Sequence, residues 1–144
     1  MLRFVYFLQN VVVFSAFCKT NKNYPSGSYI NGFGGVYVNN GNTYDLSSGI
    51  FTAPKPGVYE FSVSVYIDSS SLWHRVGIEK NNANELSFGS YAREKNDNTG
   101  TVSFTWIMQL NQADTMRLKA IEEIRCHSAG YADCVFSGKF IRSG

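Results

Sequence analysis

The sequence predicts an all-β domain in which antiparallel sheets pack as a sandwich or close into a barrel. Apolar and polar residues alternate with period two at 59–67 and again at 101–110. Because successive side chains of a strand point to opposite sides of the sheet, this period marks strands with one buried face. Turn signals recur between such segments, and many short strands at near-regular spacing favour a sandwich or barrel.

The remaining strands and turns are predicted from weaker patterns. A third clear strand runs from 135 to 141, and weaker candidates lie at 11–18, 33–38, 74–80 and 86–88. Asn39-Asn40-Gly41 is typical of a tight hairpin, and Pro54-Lys55-Pro56-Gly57 ends one element before the next begins. The Asn-containing segments 81–84, 96–100 and 111–114 are predicted to be loops.

Residues 114–125 (DTMRLKAIEEIR) fit two structures equally well. As an amphipathic helix capped by Asp114, the segment would place Met116, Ala120 and Ile124 on one side. With period two it is a strand, in which Met116 and Ala120 oppose Arg117. These residues alone leave both alternatives open.

Composition and charge narrow the class of protein. A chain of 144 residues with 44% hydrophobic and 15% aromatic residues can build one core, so we expect a single domain over 1–144 with its core at 11–142. The net charge of +2, without any run of Lys or Arg, argues against nucleic-acid binding. No stretch reaches the length of a membrane-spanning helix.

The N-terminal segment has two interpretations. Met1-Leu2-Arg3 and the apolar residues that follow resemble a secretory signal. Gln9 and Asn10 interrupt the apolar run, however, and we therefore predict that this region forms the first strands of the fold.

Three cysteines, Cys18, Cys126 and Cys134, leave at least one thiol unpaired or bonded to another chain. Cys126 and Cys134 flank a short segment that would join two strands, which suits a disulfide between them. Cys18 with Cys134 is the competing pair if the first and last strands are neighbours. A zinc site that uses His127 is a third possibility, but the adjacent Cys126 and His127 do not have the spacing of a recognised zinc finger.

Residues 33–61 read FGGVYVNNGNTYDLSSGIFTAPKPGVYEF and resemble the signature of the complement C1q globular domain, a branch of the C1q and tumour-necrosis-factor superfamily. The matching positions are Phe33, Asn39, Tyr44, Phe51, Gly57, Tyr59 and Phe61. Val13-Phe14-Ser15-Ala16 is similar to the family's first strand. Leu110 to Asp114 resembles a family turn, with Ala113 at a position where Gly is usual. Phe136 to Ile141 resembles the closing strand, with Phe140 where Leu is usual.

The resemblance implies a ten-stranded jelly-roll sandwich of two five-stranded antiparallel sheets, with residues 115–121 as a strand. It also implies a secreted homotrimer whose signature residues serve folding and trimer contacts. The chain lacks the Gly-x-y repeat of a collagen stalk. It therefore resembles head-only members, in which avidity must come from three identical sites.

We expect no enzymatic site. Neither a Gly-x-Ser-x-Gly elbow nor a His-Glu-x-x-His motif occurs. Ser71, His74 and Asp68 contain the residue types of a triad, but such proximity arises by chance in a Ser-rich loop.

A binding role on loops held by a rigid frame is the better expectation. The candidates are polar and aromatic residues predicted to lie in loops: Trp73, His74, Arg75, Tyr91, Arg93, His127 and Tyr131. Aromatic rings pack on sugar faces while Arg donates hydrogen bonds, so we expect lectin-like recognition of glycans or microbial surfaces in innate immunity. The alternative is a secreted signalling ligand for a receptor protein. Asp97, with Asn96 and Asn98, could supply oxygen ligands to calcium, but no metal is assigned.

Overall fold

The computed structural model describes residues 11–31, 33–68, 73–91, 99–126 and 134–144. Across these ranges the chain forms twelve strands and no helix. They build two five-stranded antiparallel sheets and one two-stranded ribbon. The expected sandwich of two five-stranded sheets is therefore confirmed, and the ribbon is an addition that the sequence did not predict.

We call the two layers sheet I and sheet II. Sheet I contains, in spatial order, β3 (Gly34–Asn40), β1 (Val13–Cys18), β12 (Val135–Arg142), β6 (Gly57–Asp68) and β9 (Thr99–Leu110). Sheet II contains β4 (Tyr44–Asp45), β5 (Ile50–Thr52), β10 (Thr115–Ala120), β7 (Trp73–Lys80) and β8 (Ala83–Tyr91). The ribbon pairs β2 (Lys22–Tyr24) with β11 (Ile124–Cys126).

The two segments with the clearest alternation are β6 and β9, which pair along their whole length from Gly57 opposite Leu110 to Asp68 opposite Thr99. Most of their apolar side chains face sheet II, as the period predicts. On the opposite side, hydroxyl groups bond across the two strands, Ser62 to Thr105 at 3.1 Å and Ser64 to Ser103 at 3.0 Å. One face is thus sealed in the core, and the other carries these hydroxyl groups together with the exposed Ile107.

Aromatic rings from both sheets form the centre of the core. Phe14 of sheet I stacks on Tyr44 of sheet II with ring centroids 4.6 Å apart, and meets Phe136 edge-on at 5.1 Å. Phe51 of sheet II meets Phe61 of sheet I at 5.3 Å. Burying each such side chain stabilises the fold by roughly 1.5–3 kcal/mol, so these rings join the two layers.

The signature residues serve the folded core, as the resemblance implies. Five of them, Phe33, Tyr44, Phe51, Tyr59 and Phe61, are at most 2% exposed. The amide of Asn39 bonds both backbone groups of Tyr44, donating to its oxygen at 2.8 Å and accepting from its nitrogen at 3.3 Å. Gly57 has φ +157°, and a Cβ there would lie 2.5 Å from the carbonyl oxygen of Arg142.

The turn at Asn39-Asn40-Gly41 does not close a hairpin, which corrects the expectation. β3 belongs to sheet I and β4 to sheet II, so this turn is a corner between the layers. The two side-chain bonds of Asn39 to Tyr44 hold that corner. A two-residue hairpin lies instead between β7 and β8, where Asn81 and Asn82 have φ of 52° and 65°. β8 accordingly begins at Ala83, inside the segment predicted to be a loop.

The ambiguous segment after residue 114 is strand β10, and the helix alternative is wrong. Asp114 does not cap a helix; it joins two turns. Its carboxylate accepts hydrogen bonds from the Asn81 amide group at 2.9 Å and from the Asn111 backbone at 2.7 Å. The bond from Asn81, followed by that from Asn111, lowers the pKa of Asp114 below its ordinary value.

Val13 begins the first strand, and this strand pairs with the last, β12. Residues 1–10 lie outside the described part of the chain.

The backbone amide of Cys18 donates to the carbonyl of Cys134 at 2.9 Å, and both residues are buried. The side chain of Cys126 lies outside the described part, so the disulfide pairing stays a prediction. No helix in the described ranges has the length and apolarity needed to cross a membrane.

Candidate functional site

Trp73, His74 and Arg75 begin strand β7, which confirms the strand candidate at 74–80 and corrects the placement of these residues in a loop. Alternation along this strand separates them, because neighbouring side chains point to opposite faces. His74 points into the sandwich and is 2% exposed, so it cannot contact a surface ligand. Trp73, 49% exposed, and Arg75, with 44% of its side chain exposed, lie on the outer face of sheet II.

Tyr91 is the residue directly opposite Trp73 in the β7–β8 pairing, so the register brings these two candidates together along the backbone. Arg93, His127 and Tyr131 lie outside the described ranges, as do the calcium candidates Asn96, Asp97 and Asn98. Their proposed roles therefore stay predictions. Among the described residues, no group of three or more His, Cys, Asp or Glu side chains is placed to hold a metal ion.

Glu122 fixes the position of the Arg75 side chain. Arg75 donates from Nε and Nη2 to Glu122 Oε1, at 3.0 and 2.6 Å. Its backbone nitrogen donates to Glu122 Oε2 at 2.8 Å. Only 10% of the Glu122 side chain is exposed, so these bonds are shielded from water better than those of a typical surface pair. The hydrogen bonds to Glu122 raise the pKa of Arg75 above its ordinary value.

Gly89 makes room for this arrangement on the neighbouring strand. It lies opposite Arg75 in the register. A Cβ at Gly89 would overlap the carbonyl oxygen of His74 and would lie 2.9 Å from Cγ of Arg75. Real Cβ atoms do not approach other atoms so closely, so strand β8 needs glycine at this position.

The Trp73 ring and the Arg75 guanidinium are neighbours, with Cζ 5.5 Å from the ring centroid. Such a separation allows a cation–π attraction. Arg75 Nη1 takes no part in the bonds to Glu122 and can donate to another acceptor. We call Trp73, Arg75 and Glu122 the β7 platform; it offers an apolar ring beside an oriented hydrogen-bond donor.

Sequence reasoning missed Glu122. It lies just beyond β10, in a segment whose helix and strand alternatives were equal. Its proximity to Arg75 follows from the β10–β7 register, in which Ala120 is opposite Val76. No local motif reports such a register, although a strand reading of 115–120 with β7 as neighbour would have placed Glu122 near the start of β7.

A second polar cluster on the outer face of sheet II serves the fold. The segment around Tyr29 pairs with β10 through an isolated bridge to Lys119. The Tyr29 hydroxyl donates to Glu79 at 3.1 Å, and the Arg117 guanidinium lies 3.3 Å from the Tyr29 ring centroid. These contacts cover this part of the sheet, so the β7 platform is the more exposed of these two clusters.

Comparison with known proteins places the chain in a family. The C1q domain model matches residues 13–141. The mouse collagen alpha-1(X) chain is 31% identical over 121 residues, which cover 82% of this chain and 17% of that protein. The chain thus spans less than a fifth of the length of this relative.

Solved structures share the fold. The globular domain of a zebrafish complement 1qA protein superposes with a TM-score of 0.71 at 17% identity, covering 92% of this chain and 99% of that one. The Eiger TNF of S. frugiperda gives a TM-score of 0.71 at 11% identity, covering 93% and 94%. The two likenesses support the jelly roll, and the family match spans nearly the whole described core. The chain belongs to the C1q domain family.

Proposed function

We propose that this chain is a non-enzymatic, extracellular recognition module that acts as a homotrimer and binds glycans on microbial surfaces in a lectin-like way. The observation that carries the proposal is the β7 platform, where a half-exposed Trp73 lies beside an Arg75 held in place by Glu122. An aromatic ring and a directed donor are the two components with which proteins hold a sugar ring.

Membership of the C1q domain family supports the extracellular location and the trimer. The outer face of sheet I supports the trimer independently. Small hydroxyl side chains cover much of it, and small side chains allow another surface to approach closely. Ile107 on this face is 61% exposed, so it offers apolar surface that a partner would remove from water. A second copy of the chain is the partner that the proposal assigns.

Trimerisation matters because one platform offers a small contact area. A single ring and donor would bind a sugar weakly, whereas three copies on one rigid body engage a repetitive surface together. Sheet I would then hold the assembly and sheet II would carry the binding sites, so the two faces of the sandwich have separate roles.

The test is binding of the full chain to an array of microbial and host glycans, together with its mass in solution. Trp73→Ala should lower affinity about tenfold, the change expected when a stacking contact of about 1.4 kcal/mol is lost. Leu86→Ala, which removes an exposed apolar side chain from β8, is the matched control and should bind normally. Absence of glycan binding, with one saturable receptor protein captured from cell-surface extracts, would favour the signalling alternative.

A further inference from the structure

We propose that Glu122 makes the β7 platform selective for uncharged sugar residues, because it orients Arg75 as a donor while cancelling its charge. This inference rests on the glycan-binding function proposed above and specifies the ligand class of that same site. The ligand is a neutral hexose that packs on Trp73 and accepts a hydrogen bond from Arg75 Nη1. Glu122 acts here as a positioning and specificity-determining residue, since it need not touch the sugar.

The Arg75 side chain is held in place by Glu122 in the free protein. Two side-chain bonds and one backbone bond join Arg75 to Glu122, so the guanidinium is fixed at one end before any ligand arrives. The edge formed by Nε and Nη2 is occupied by a carboxylate oxygen. Arginine uses this edge to bind carboxylates and sulfates through two parallel hydrogen bonds. An anionic ligand therefore finds that edge already filled.

Glu122 also neutralises the charge of Arg75. The Glu122 carboxylate lies 2.6 Å from Nη2, and its side chain is nearly buried, so the two charges cancel at close range with little water between them. An anion approaching Nη1 is attracted by Arg75 and repelled by Glu122 over similar distances. A sugar hydroxyl gains a hydrogen bond without that repulsion.

The Trp73 ring is close enough to Arg75 for one sugar residue to contact both. The Trp73 ring centroid is 5.5 Å from Arg75 Cζ, so one hexose could cover the ring and still reach the guanidinium. Gly89, opposite Arg75, keeps the neighbouring strand free of side-chain bulk at this point. Stacking and a single directed donor suit a polyol better than a charged group.

The experiment compares neutral polysaccharides (mannan, galactan) with anionic ones (polysialic acid, heparin) on the same surface. The wild-type trimer should prefer the neutral group by about tenfold or more. The Glu122 carboxylate repels an anionic ligand but does not repel a neutral one. Glu122→Gln keeps an oxygen acceptor for Arg75 but removes the charge. It should bind the neutral group more weakly than the wild type, because an uncharged acceptor holds Arg75 less firmly, and should gain about fivefold or more for the anionic group.

Glu123→Gln is the matched control. It removes the same charge from the adjacent residue, whose carboxylate pairs with Arg125 at 3.3 Å, away from Arg75. Its selectivity should equal that of the wild type. An equal gain for anions in both variants would mean that overall charge governs binding, which would overturn the inference.

Salt dependence of the wild type keeps the inference testable if Glu122→Gln fails to fold. Binding to the neutral group should change less than twofold between about 0.05 and 0.5 M NaCl, because no net charge takes part. A wild type that binds anionic glycans as tightly as neutral ones, with steep salt dependence, would overturn the selectivity while leaving glycan binding intact. A wild type that binds no polysaccharide would remove the proposed function itself.

Discussion

Gly89 lies directly opposite Arg75 in the pairing of β7 with β8, and the missing Cβ of Gly89 leaves the space that Arg75 Cγ occupies. A glycine in the middle of an edge strand ordinarily weakens the strand. At this position it permits a long charged side chain to lie close to the sheet and keep its contact with Glu122. The requirement for glycine is therefore tied to the platform.

Replacing Gly89 with alanine should destabilise the domain by about 1–3 kcal/mol, because the new Cβ would overlap the His74 carbonyl oxygen and crowd Arg75. The measurement is the free energy of unfolding from denaturant titration. Ser87→Ala, at an exposed position of the same strand, should change it by less than about 0.5 kcal/mol. Equal small effects of both substitutions would show that the strand tolerates a side chain at 89.

Ala113 has φ +72°, a backbone conformation that costs an alanine about 1 kcal/mol and a glycine almost nothing. Ala113→Gly should therefore stabilise the domain by a few tenths to about 1 kcal/mol, even though glycine loses more entropy on folding. Thermal unfolding measures the change as a higher Tm. Ala83→Gly, at an exposed position in β8 with ordinary φ, should lower the Tm. A lower Tm for both would contradict the strain at residue 113.

Asp114 predicts a pH dependence of stability. Its hydrogen bonds to Asn81 and to the Asn111 backbone lower its pKa in the folded chain. The unfolded chain then takes up the proton first as the pH falls. The stabilisation is complete above the ordinary aspartate pKa of about 3.9 and is lost as the pH drops through the lower folded value.

Asp114→Asn should accordingly lower the free energy of unfolding most at neutral pH. The gap between wild type and variant should narrow as the pH falls below about 4. Denaturant titrations of both proteins from about pH 7 to pH 2.5 measure this gap. A constant gap at every pH would mean that the carboxylate charge is unimportant and that only the shape of the side chain matters.

Local sequence patterns predict the strands that bury one face in the core. The alternation at 59–67 and 101–110 predicts β6 and β9 because one face of each strand must be buried. At the signature position Gly57, Arg142 and Phe140 stand where a Cβ would lie. The resemblance resolved residues 115–120 as a strand where periodicity alone could not.

Two of the three errors arise from pairing between distant segments, and the third from alternation along a strand. The turn after Asn39 contains a hairpin dipeptide, but a turn does not determine whether the next strand joins the same sheet or the opposite one. Adjacency in sequence suggests that His74 and Trp73 share one site, whereas a strand sends them to opposite faces. Glu122 meets Arg75 through the register of β10 and β7, and single-sequence patterns do not report register.

Ile107 provides the test of the face assigned to self-association. It is 61% exposed and lies opposite Glu60 on the outer side of sheet I, away from the core and from the β7 platform. Covering this side chain in a trimer would remove apolar surface from water, whereas an aspartate would bury an unpaired charge in each interface. Ile107→Asp should therefore shift the mass in solution from about three chains to the single-chain mass of 16.1 kDa without unfolding the domain. Leu86→Asp, which places the same charge on an exposed position of β8 in sheet II, should leave the trimer mass unchanged. Dissociation by Leu86→Asp with an intact Ile107→Asp trimer would assign self-association to sheet II, and the binding sites would then have to lie on sheet I.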